Sequence, residues 1–293
     1  METYNRFFFA AVLIILVLSS AICQSLVTGF VTIEGRKVYY EVEGQGPAIV
    51  LIHGFSLDTR MWDPQFDTFA QSHRVVRYDI SGYGRSTIPD TLISSSNELA
   101  MLLKTLSIDK ATVIGMSMGG GVAINFTLEH PEMVQALITV GSTLGGYSMR
   151  EPRATRTQRV FSLARDSGLA IAKEAWMHDP FFTPVVDTSA IRATIRRIMT
   201  DWSGIQLRNP AMARFLPTHP LAIVRLEKIS VPTLAIVGEL DDPNPRAVAD
   251  TIAARVPGAK KATIHGTGHL LNLERPDEFN RLVLDFLEQN TKH

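Results

Sequence analysis

One serine in this chain stands in a segment whose spacing suits nucleophilic catalysis. In Gly115–Gly119 the order is glycine, methionine, serine, methionine, glycine, with Ser117 at the centre. An apolar run, Thr112–Gly115, leads into the segment, and a helical stretch extends from it to His130. A strand, a sharp turn and a helix in this order hold a serine side chain exposed at the top of a sheet. Ser117 is therefore the predicted nucleophile.

A base for this serine is found near the end of the chain. A serine hydroxyl is a weak nucleophile at neutral pH and needs a base that is itself oriented by a carboxylate. Of the eight histidines, His269 is the best candidate, because it lies in a glycine-containing loop between the last apolar run and the closing helix. A metal pair of His269 with His265 would need a helix, which Gly266 and Gly268 disfavour.

The acid is predicted in the loop that follows the apolar run Thr233–Val237. Asp241 and Asp242 both qualify, since ligands and substrates of α/β sheets bind at the carboxyl ends of the strands. An earlier run, Ala136–Val140, is followed by glycine, serine and threonine and offers no carboxylate. These residues alone leave the choice between the two aspartates open.

Acyl transfer also needs hydrogen-bond donors for the negative oxygen of its tetrahedral intermediate, and these are usually two backbone N–H groups. The amide of Met118, directly after the nucleophile, is the first candidate. The second is the amide of Phe55, in the loop after Ala48–Ile52, where Gly54 permits close approach of a substrate. His53, in the same loop, is interpreted as a brace rather than a catalyst.

These residues need a framework, and the periodicity of the sequence predicts a parallel sheet. Short runs rich in Val and Ile are too short for core helices and are typical of buried parallel strands. A hairpin is predicted around Glu34 and Gly35. The predicted parallel strands are Ala48–Ile52, Arg74–Tyr78, Thr112–Gly115, Ala136–Val140, Thr233–Val237 and Lys261–Ile264.

Amphipathic helical patterns separate these strands. The clearest is Asn97–Ile108, in front of which Ser95 and Glu98 fit a capping box. Another is Pro276–Gln289, which closes the chain. Strands alternating with helices predict an α/β protein whose mostly parallel central sheet is flanked by helices on both faces.

One region, residues 144–221, contains no strand-like run and predicts an inserted helical cap between core segments 24–143 and 222–293. From Arg150 to Arg225 it carries 12 basic and six acidic residues. Two interpretations stay open for this excess: solvated helix faces, or steering of anionic substrates. The aromatic residues Trp176, Phe181 and Phe182 either line an acyl pocket or hold the cap on the sheet.

Together these motifs resemble the α/β-hydrolase superfamily, specifically its small capped serine esterase and lactonase branch. The resemblance extends over nearly all of Phe30–Asn290 outside the cap. Its motifs follow in the family's order: His53-Gly54-Phe55, then Asp79 with Gly82, Gly84 and Ser86, then the segment around Ser117, then Gly238-Glu239 with Asp241 and Pro245, and finally Gly268-His269.

The resemblance also selects among alternatives. It places the acid on Asp241, because a proline usually follows the family's acid after four residues, as Pro245 does here. Asp242 is the fallback. Ser81 departs from the family, which usually has arginine there, and this puts the packing of its loop in doubt. A serine at position 117 is unlike the haloalkane dehalogenase and epoxide hydrolase branches, which use aspartate.

Composition bounds the remaining questions. The 293 residues are 45% hydrophobic and 20% charged with zero formal net charge, which argues against disorder and against a nucleic-acid-coating surface. Cys23 is the one cysteine, so no intrachain disulfide and no thiolate metal cluster can form. Residues 1–23 contain an apolar run after Arg6 and read as a signal peptide or, less well, an N-terminal anchor. A secreted or periplasmic location is expected, with membrane association only through an uncleaved leader.

The expected function is cleavage of a small carboxylic ester or lactone through an acyl-enzyme, without a metal or organic cofactor. Ser117 would attack, His269 would transfer the proton, Asp241 would orient His269, and the Phe55 and Met118 amides would bind the oxyanion. Two alternatives stay open. One is a ligand receptor on the same fold with slow turnover, and the other is a cofactor-free haloperoxidase or carbon–carbon bond hydrolase.

Overall fold

The computed structural model describes residues 25–182, 189–209 and 218–290. Eight strands form one sheet. They are β1 (Val27–Ile33), β2 (Arg36–Glu43), β3 (Ala48–Ile52), β4 (Arg74–Tyr78), β5 (Ala111–Met116), β6 (Val134–Val140), β7 (Thr233–Gly238) and β8 (Lys260–Ile264).

Helices fill most of the connections between strands. They are α1 (Asp63–Ala70), α2 (Ser95–Thr105), α3 (Met118–Glu129), α4 (Arg153–Asp166), α5 (Leu169–Met177), α6 (Ser189–Asp201), α7 (Ile205–Arg208), α8 (Pro243–Arg255), α9 (Leu271–Glu274) and α10 (Pro276–Asn290). Short 3-10 turns lie at Thr59–Trp62, Pro131–Met133 and Ala222–Lys228.

The sheet has the strand order β1-β2-β4-β3-β5-β6-β7-β8. Its first two pairs, β1 with β2 and β2 with β4, are antiparallel, and every later pair is parallel. The predicted fold class is therefore confirmed: a mostly parallel sheet with flanking helices. The carboxyl ends of β3, β5, β6 and β7 consequently meet at one edge of the sheet, where the candidate residues follow them.

The predicted strands and the closing helix form where the patterns indicate. β3 and β4 have the predicted bounds, and the predicted hairpin forms between β1 and β2. In β5 and β7 every residue is buried, as expected of strands covered on both faces. In α10 the predicted apolar stripe packs inward, with Phe279 and Val283 fully buried.

The predicted capping box at the start of α2 is wrong. Ser94, not Ser95, caps this helix, with its side chain accepting from the Asn97 N–H. Glu98 turns inward instead of reaching back to the cap, and its Oε1 accepts the backbone N–H of Ser81 at 3.1 Å. The loop at Ser81, where the family's arginine is missing, is therefore tied to α2 by a buried carboxylate.

The cap region enters between β6 and β7. Among the described residues there, α4, α5, α6 and α7 are helical and none is in a strand. We call these four helices the cap. Arg156 of α4 reaches Asp242 of the core at 2.9 Å, and Asp201 at the end of α6 pairs with Arg60 at 2.7 Å. The division at residues 144 and 221 stays a prediction.

The predicted leader, residues 1–23, lies outside the described residues, and its role stays a prediction. Within the ranges that the structure describes, no helix combines the length and the apolar character that a membrane crossing requires.

Candidate active site

Ser117 lies at the turn between β5 and α3, in a backbone conformation that is rare for serine. Its φ and ψ are 53° and −114°, and it directly precedes Met118, the first residue of α3. Its N–H donates to Val140 O, while its carbonyl accepts from the N–H of Thr143. A Cβ at Gly115 or Gly119 would overlap neighbouring backbone. These bonds and contacts hold the strained turn in place.

His269 and Asp241 form a buried pair beside this turn. His269 Nδ1 lies 2.9 Å from Asp241 Oδ2 and 3.0 Å from Oδ1, and the two side chains are 4% and 0% exposed. Since a carboxylate only accepts hydrogen bonds, the proton of neutral His269 resides on Nδ1. The Nε2 atom then has its lone pair available to accept a proton.

The structure separates the two adjacent aspartates. Asp241 contacts His269, and its Oδ1 also accepts the N–H of Asp242 at 2.7 Å. Asp242 turns the other way: its Oδ1 accepts from Asn244 at the start of α8, and its Oδ2 accepts from Arg156 of the cap at 2.9 Å. Of the two carboxylates that the sequence offers, only Asp241 contacts the imidazole.

The loop after β3 lies beside Ser117, since a Cβ at Gly54 would be 3.5 Å from Ser117 Cβ. Phe55 and Met118 line the same cavity as Ser117 and His269. His53 braces this loop: its Nδ1 contacts Gly54 O at 2.8 Å, and its Nε2 accepts the Ile80 N–H at 3.0 Å. Because both ring nitrogens are occupied and the side chain is fully buried, His53 matches the predicted bracing role.

The cap also holds the loop after β3. Trp176 of α5 donates from Nε1 to Ser56 Oγ at 2.8 Å. The ring of Phe55 lies edge-on to Trp176 and to Trp202, with centroid separations of 5.7 and 5.5 Å. The backbone amide of Phe55 is thus positioned by contacts with both the core and the cap.

A cavity of about 670 Å³ lies between the cap and the carboxyl edge of the sheet. The predicted pocket residues Trp176, Phe181 and Phe182 all line it, and all three are also buried in the core that joins cap and sheet. The two interpretations open at the sequence level therefore do not exclude each other.

Two contacts around His269 have no counterpart in the sequence analysis. The ring of Phe181 lies edge-on to the imidazole with a centroid separation of 3.9 Å, and the guanidinium of Arg153 stacks on Phe181 with Cζ 3.2 Å from the ring centroid. Gly141 has a φ of 49°, and a Cβ there would lie 3.0 Å from His269 Nδ1 and 3.1 Å from Asp241 Oδ2. The sequence offers one indication for Gly141, which is that a glycine directly follows a predicted buried strand. For Arg153 it offers only the basic character of the cap.

The described residues contain no group of three or more His, Cys, Asp and Glu side chains arranged to hold a metal ion. The site consists of one hydroxyl, one imidazole, one carboxylate and backbone amides around a mainly apolar cavity.

Comparison with known proteins places this arrangement in a family. Residues 47–276 match the family profile described as "alpha/beta hydrolase fold". The chain belongs to this family. The predicted family is thereby confirmed, and the matched range extends from β3 to the start of α10.

Several members of the family are similar over most of the chain. A pimeloyl-[acyl-carrier protein] methyl ester esterase of Yersinia enterocolitica is 28% identical, covering 87% of this chain and 99% of its own. A 2-hydroxy-6-oxononadienedioate/2-hydroxy-6-oxononatrienedioate hydrolase of Burkholderia vietnamiensis is 30% identical, covering 86% and 91%. The structure of a thermophilic esterase from Thermogutta terrifontis superposes with a TM-score of 0.75 at 25% identity, covering 91% and 100%.

Proposed function

We propose that this hydrolase cleaves a small carboxylic ester or lactone through an acyl-enzyme formed on Ser117. One observation carries the proposal: Ser117, at a strained turn, lines the same cavity as His269, whose Nδ1 is bound to Asp241. A hydroxyl, an imidazole and a buried carboxylate in this relation are the parts of acyl transfer by a serine. Similarity to proteins named as esterases supports the ester as the bond cleaved.

In the proposed reaction Ser117 Oγ attacks the carbonyl carbon while His269 Nε2 takes the hydroxyl proton. Asp241 keeps the Nδ1 proton in place and stabilises the imidazolium that forms. The negatively charged oxygen of the tetrahedral intermediate accepts hydrogen bonds from the backbone N–H groups of Phe55 and Met118. His269 then gives the proton to the departing alcohol oxygen, and the acyl group stays on Ser117.

Hydrolysis of the acyl-enzyme repeats these steps with water. His269 takes a proton from water, the hydroxyl attacks the acyl carbon, and the acid leaves as Ser117 regains its proton. Every proton passes through His269 Nε2. For a lactone, the departing alcohol is part of the same molecule and leaves after the second step.

The test measures steady-state hydrolysis of a series of aryl esters with short to long acyl chains. The full chain is compared with its Ser117→Ala variant. We expect turnover by the wild type, loss of turnover in Ser117→Ala, and covalent labelling of Ser117 by a serine-directed phosphonate. A protein that turns over esters but is not labelled at Ser117 would contradict the proposed nucleophile. Single-turnover hydrolysis with a ligand-dependent rise in melting temperature would instead favour the slow receptor.

A further inference from the structure

We propose that Arg153 binds a carboxylate on the substrate, so that the preferred esters or lactones are those of a dicarboxylic or hydroxycarboxylic acid. This inference rests on the proposed function, because it names the substrate class of the same cavity. Arg153 is then a specificity-determining residue supplied by the cap.

The first observation is the charge of the cavity wall. Among the described residues that line it, two are arginines, Arg153 and Arg165, and none is an aspartate or a glutamate. Arg165 is exposed, whereas Arg153 is 8% exposed. The remaining lining is mainly apolar, with Leu144, Met149 and Phe161 among its members. An anion that entered this cavity would meet positive charge in surroundings that screen it poorly.

The second observation is the unused bonding capacity of Arg153. A guanidinium carries five N–H donors. Within the described chain, Arg153 makes one hydrogen bond, from NH1 to Asp179 at 3.4 Å, and its buried Nε has no partner. Buried N–H groups are normally hydrogen-bonded. Because Arg153 lines the cavity and most of its terminal N–H groups are unused by the described residues, the guanidinium points to a ligand with acceptor oxygens.

The nearby carboxylates use only part of this capacity, because Arg156 is their closer partner. Arg156 contacts Asp179 at 3.2 Å and Asp242 at 2.9 Å, and both distances are shorter than the one from Arg153. Asp179 also accepts the backbone N–H of Phe181 at 3.1 Å. Burial lowers the pKa of Arg153 to about 10, with Asp179 opposing the shift, so the guanidinium stays charged at neutral pH.

The third observation is the position of Arg153 relative to the reacting groups. Its guanidinium stacks on Phe181, and the ring of Phe181 also contacts the ring of His269. Both separations, 3.2 and 3.9 Å, are measured from the Phe181 ring centroid. The guanidinium carbon therefore lies at most about 7 Å from the imidazole centroid. A carboxylate a few carbons from the ester bond fits this span. Stacking also fixes the plane in which Arg153 presents its donors.

Two matched pairs of esters test the inference on either side of the ester bond. On the acyl side, the para-nitrophenyl half-ester of adipic acid is compared with the ester in which an isopropyl group replaces the carboxylate. On the alcohol side, the butyrate ester of a hydroxybutanoate is compared with the butyrate ester in which an isopropyl group replaces the carboxylate. The measured quantity is the ratio of kcat/KM for the charged ester over the neutral one.

We expect the wild type to prefer the charged member of at least one pair. In Arg153→Gln this ratio falls about 10- to 100-fold, the range expected when a hydrogen bond to a charged group is lost. Arg153→Lys retains part of the preference, because it keeps the charge and loses the planar fork. Arg159→Gln, a change at an exposed arginine of the same helix, leaves the ratio unchanged.

The outcomes separate this inference from the proposed function. If the wild type hydrolyses both neutral esters as well as the charged ones, Arg153 does not select a carboxylate, while the ester hydrolase stands. The same holds if Arg153→Gln keeps the wild-type ratio. If Arg153→Gln fails to fold, the wild-type ratio together with Arg153→Lys decides the question. If the wild type hydrolyses neither pair and Ser117 is not labelled by the phosphonate, the proposed function fails and this inference with it.

Discussion

The ring of Phe181 lies edge-on to the imidazole of His269, with a centroid separation of 3.9 Å and an interplanar angle of 66°. Phe181 belongs to the cap region, whereas His269 belongs to the core. The imidazole is thus contacted on its ring by a side chain of the cap region, while its Nδ1 is bound to Asp241. Orientation of the proposed base therefore depends on both parts of the protein.

Removing the contact between the Phe181 ring and His269 is expected to slow the chemical step. Phe181→Leu keeps an apolar side chain but removes the edge contact, so His269 samples orientations away from the substrate. We expect kcat for a neutral ester to fall about 10-fold or more, since small misplacements of catalytic groups are costly. Phe182→Leu is the matched control, because Phe182 is equally buried and contacts Trp176 instead. Equal losses in both variants would contradict this role.

The two adjacent aspartates are expected to respond differently to the same substitution. Asp241→Asn removes the carboxylate that holds the Nδ1 proton, and kcat should fall by roughly 10⁴-fold, as in serine–histidine–aspartate triads. Asp242→Asn should leave kcat within a few-fold and lower the free energy of unfolding by about 1–2 kcal/mol, through loss of its charged bond to Arg156. Steady-state kinetics and denaturant melts give both values. A larger kinetic loss in Asp242→Asn would reverse the assignment.

Gly141 offers a test of how closely the His269–Asp241 pair is packed. Gly141→Ala introduces a Cβ within 3.1 Å of both side chains and also strains a left-handed backbone. Gly258→Ala is a matched control, with a φ of 71° and no atom within 4 Å of the new Cβ. Both variants should lose about 1–2 kcal/mol of stability from backbone strain. Only Gly141→Ala should also lose activity, by about 10-fold or more, and unchanged kcat/KM there would show that the pair tolerates displacement.

The buried Glu98 predicts a dependence of stability on pH. Burial raises the pKa of the Glu98 carboxyl above its ordinary value of 4.5. The folded protein then binds this proton more tightly than the unfolded chain does. The contribution of Glu98 to stability therefore decreases as the pH rises from about 4.5 through the folded-state pKa.

Glu98→Gln isolates this effect, because glutamine keeps an oxygen for the Ser81 N–H and cannot ionise. The melting temperature of the wild type relative to Glu98→Gln should fall as the pH is raised from 4.5 to 7, a window set by the raised pKa. Glu129→Gln, at an exposed carboxylate of α3, is the control. A difference that stays constant, or that grows in favour of the wild type, would contradict the raised pKa.

The framework was predictable because its signals are local. β3 and β4 have the predicted bounds because unbroken runs of branched apolar residues fit only buried strands between the turns around them. The turn at Ser117 was predictable because glycine is needed on both sides of it, which sequence spacing shows directly.

The remaining features depend on tertiary contacts that spacing does not encode. Ser94 and Ser95 are both residue types that favour a helix N-cap. Glu98 does not form the predicted capping box, because its carboxylate accepts the N–H of Ser81, which is distant in sequence. Asp241 and Asp242 share one local context. Their roles are separated by contacts distant in sequence, with His269 for Asp241 and with Arg156 of the cap for Asp242. Arg153 was missed for the same reason, since its burial is created by packing of the cap.

The loop between β7 and α8 gives its neighbouring carboxylates opposite duties: Asp241 faces inward to His269, and Asp242 faces outward to Arg156 of the cap. The charge that docks the cap and the charge that orients the proposed base are thus carried by consecutive residues, so a displacement of this loop would disturb both attachments together.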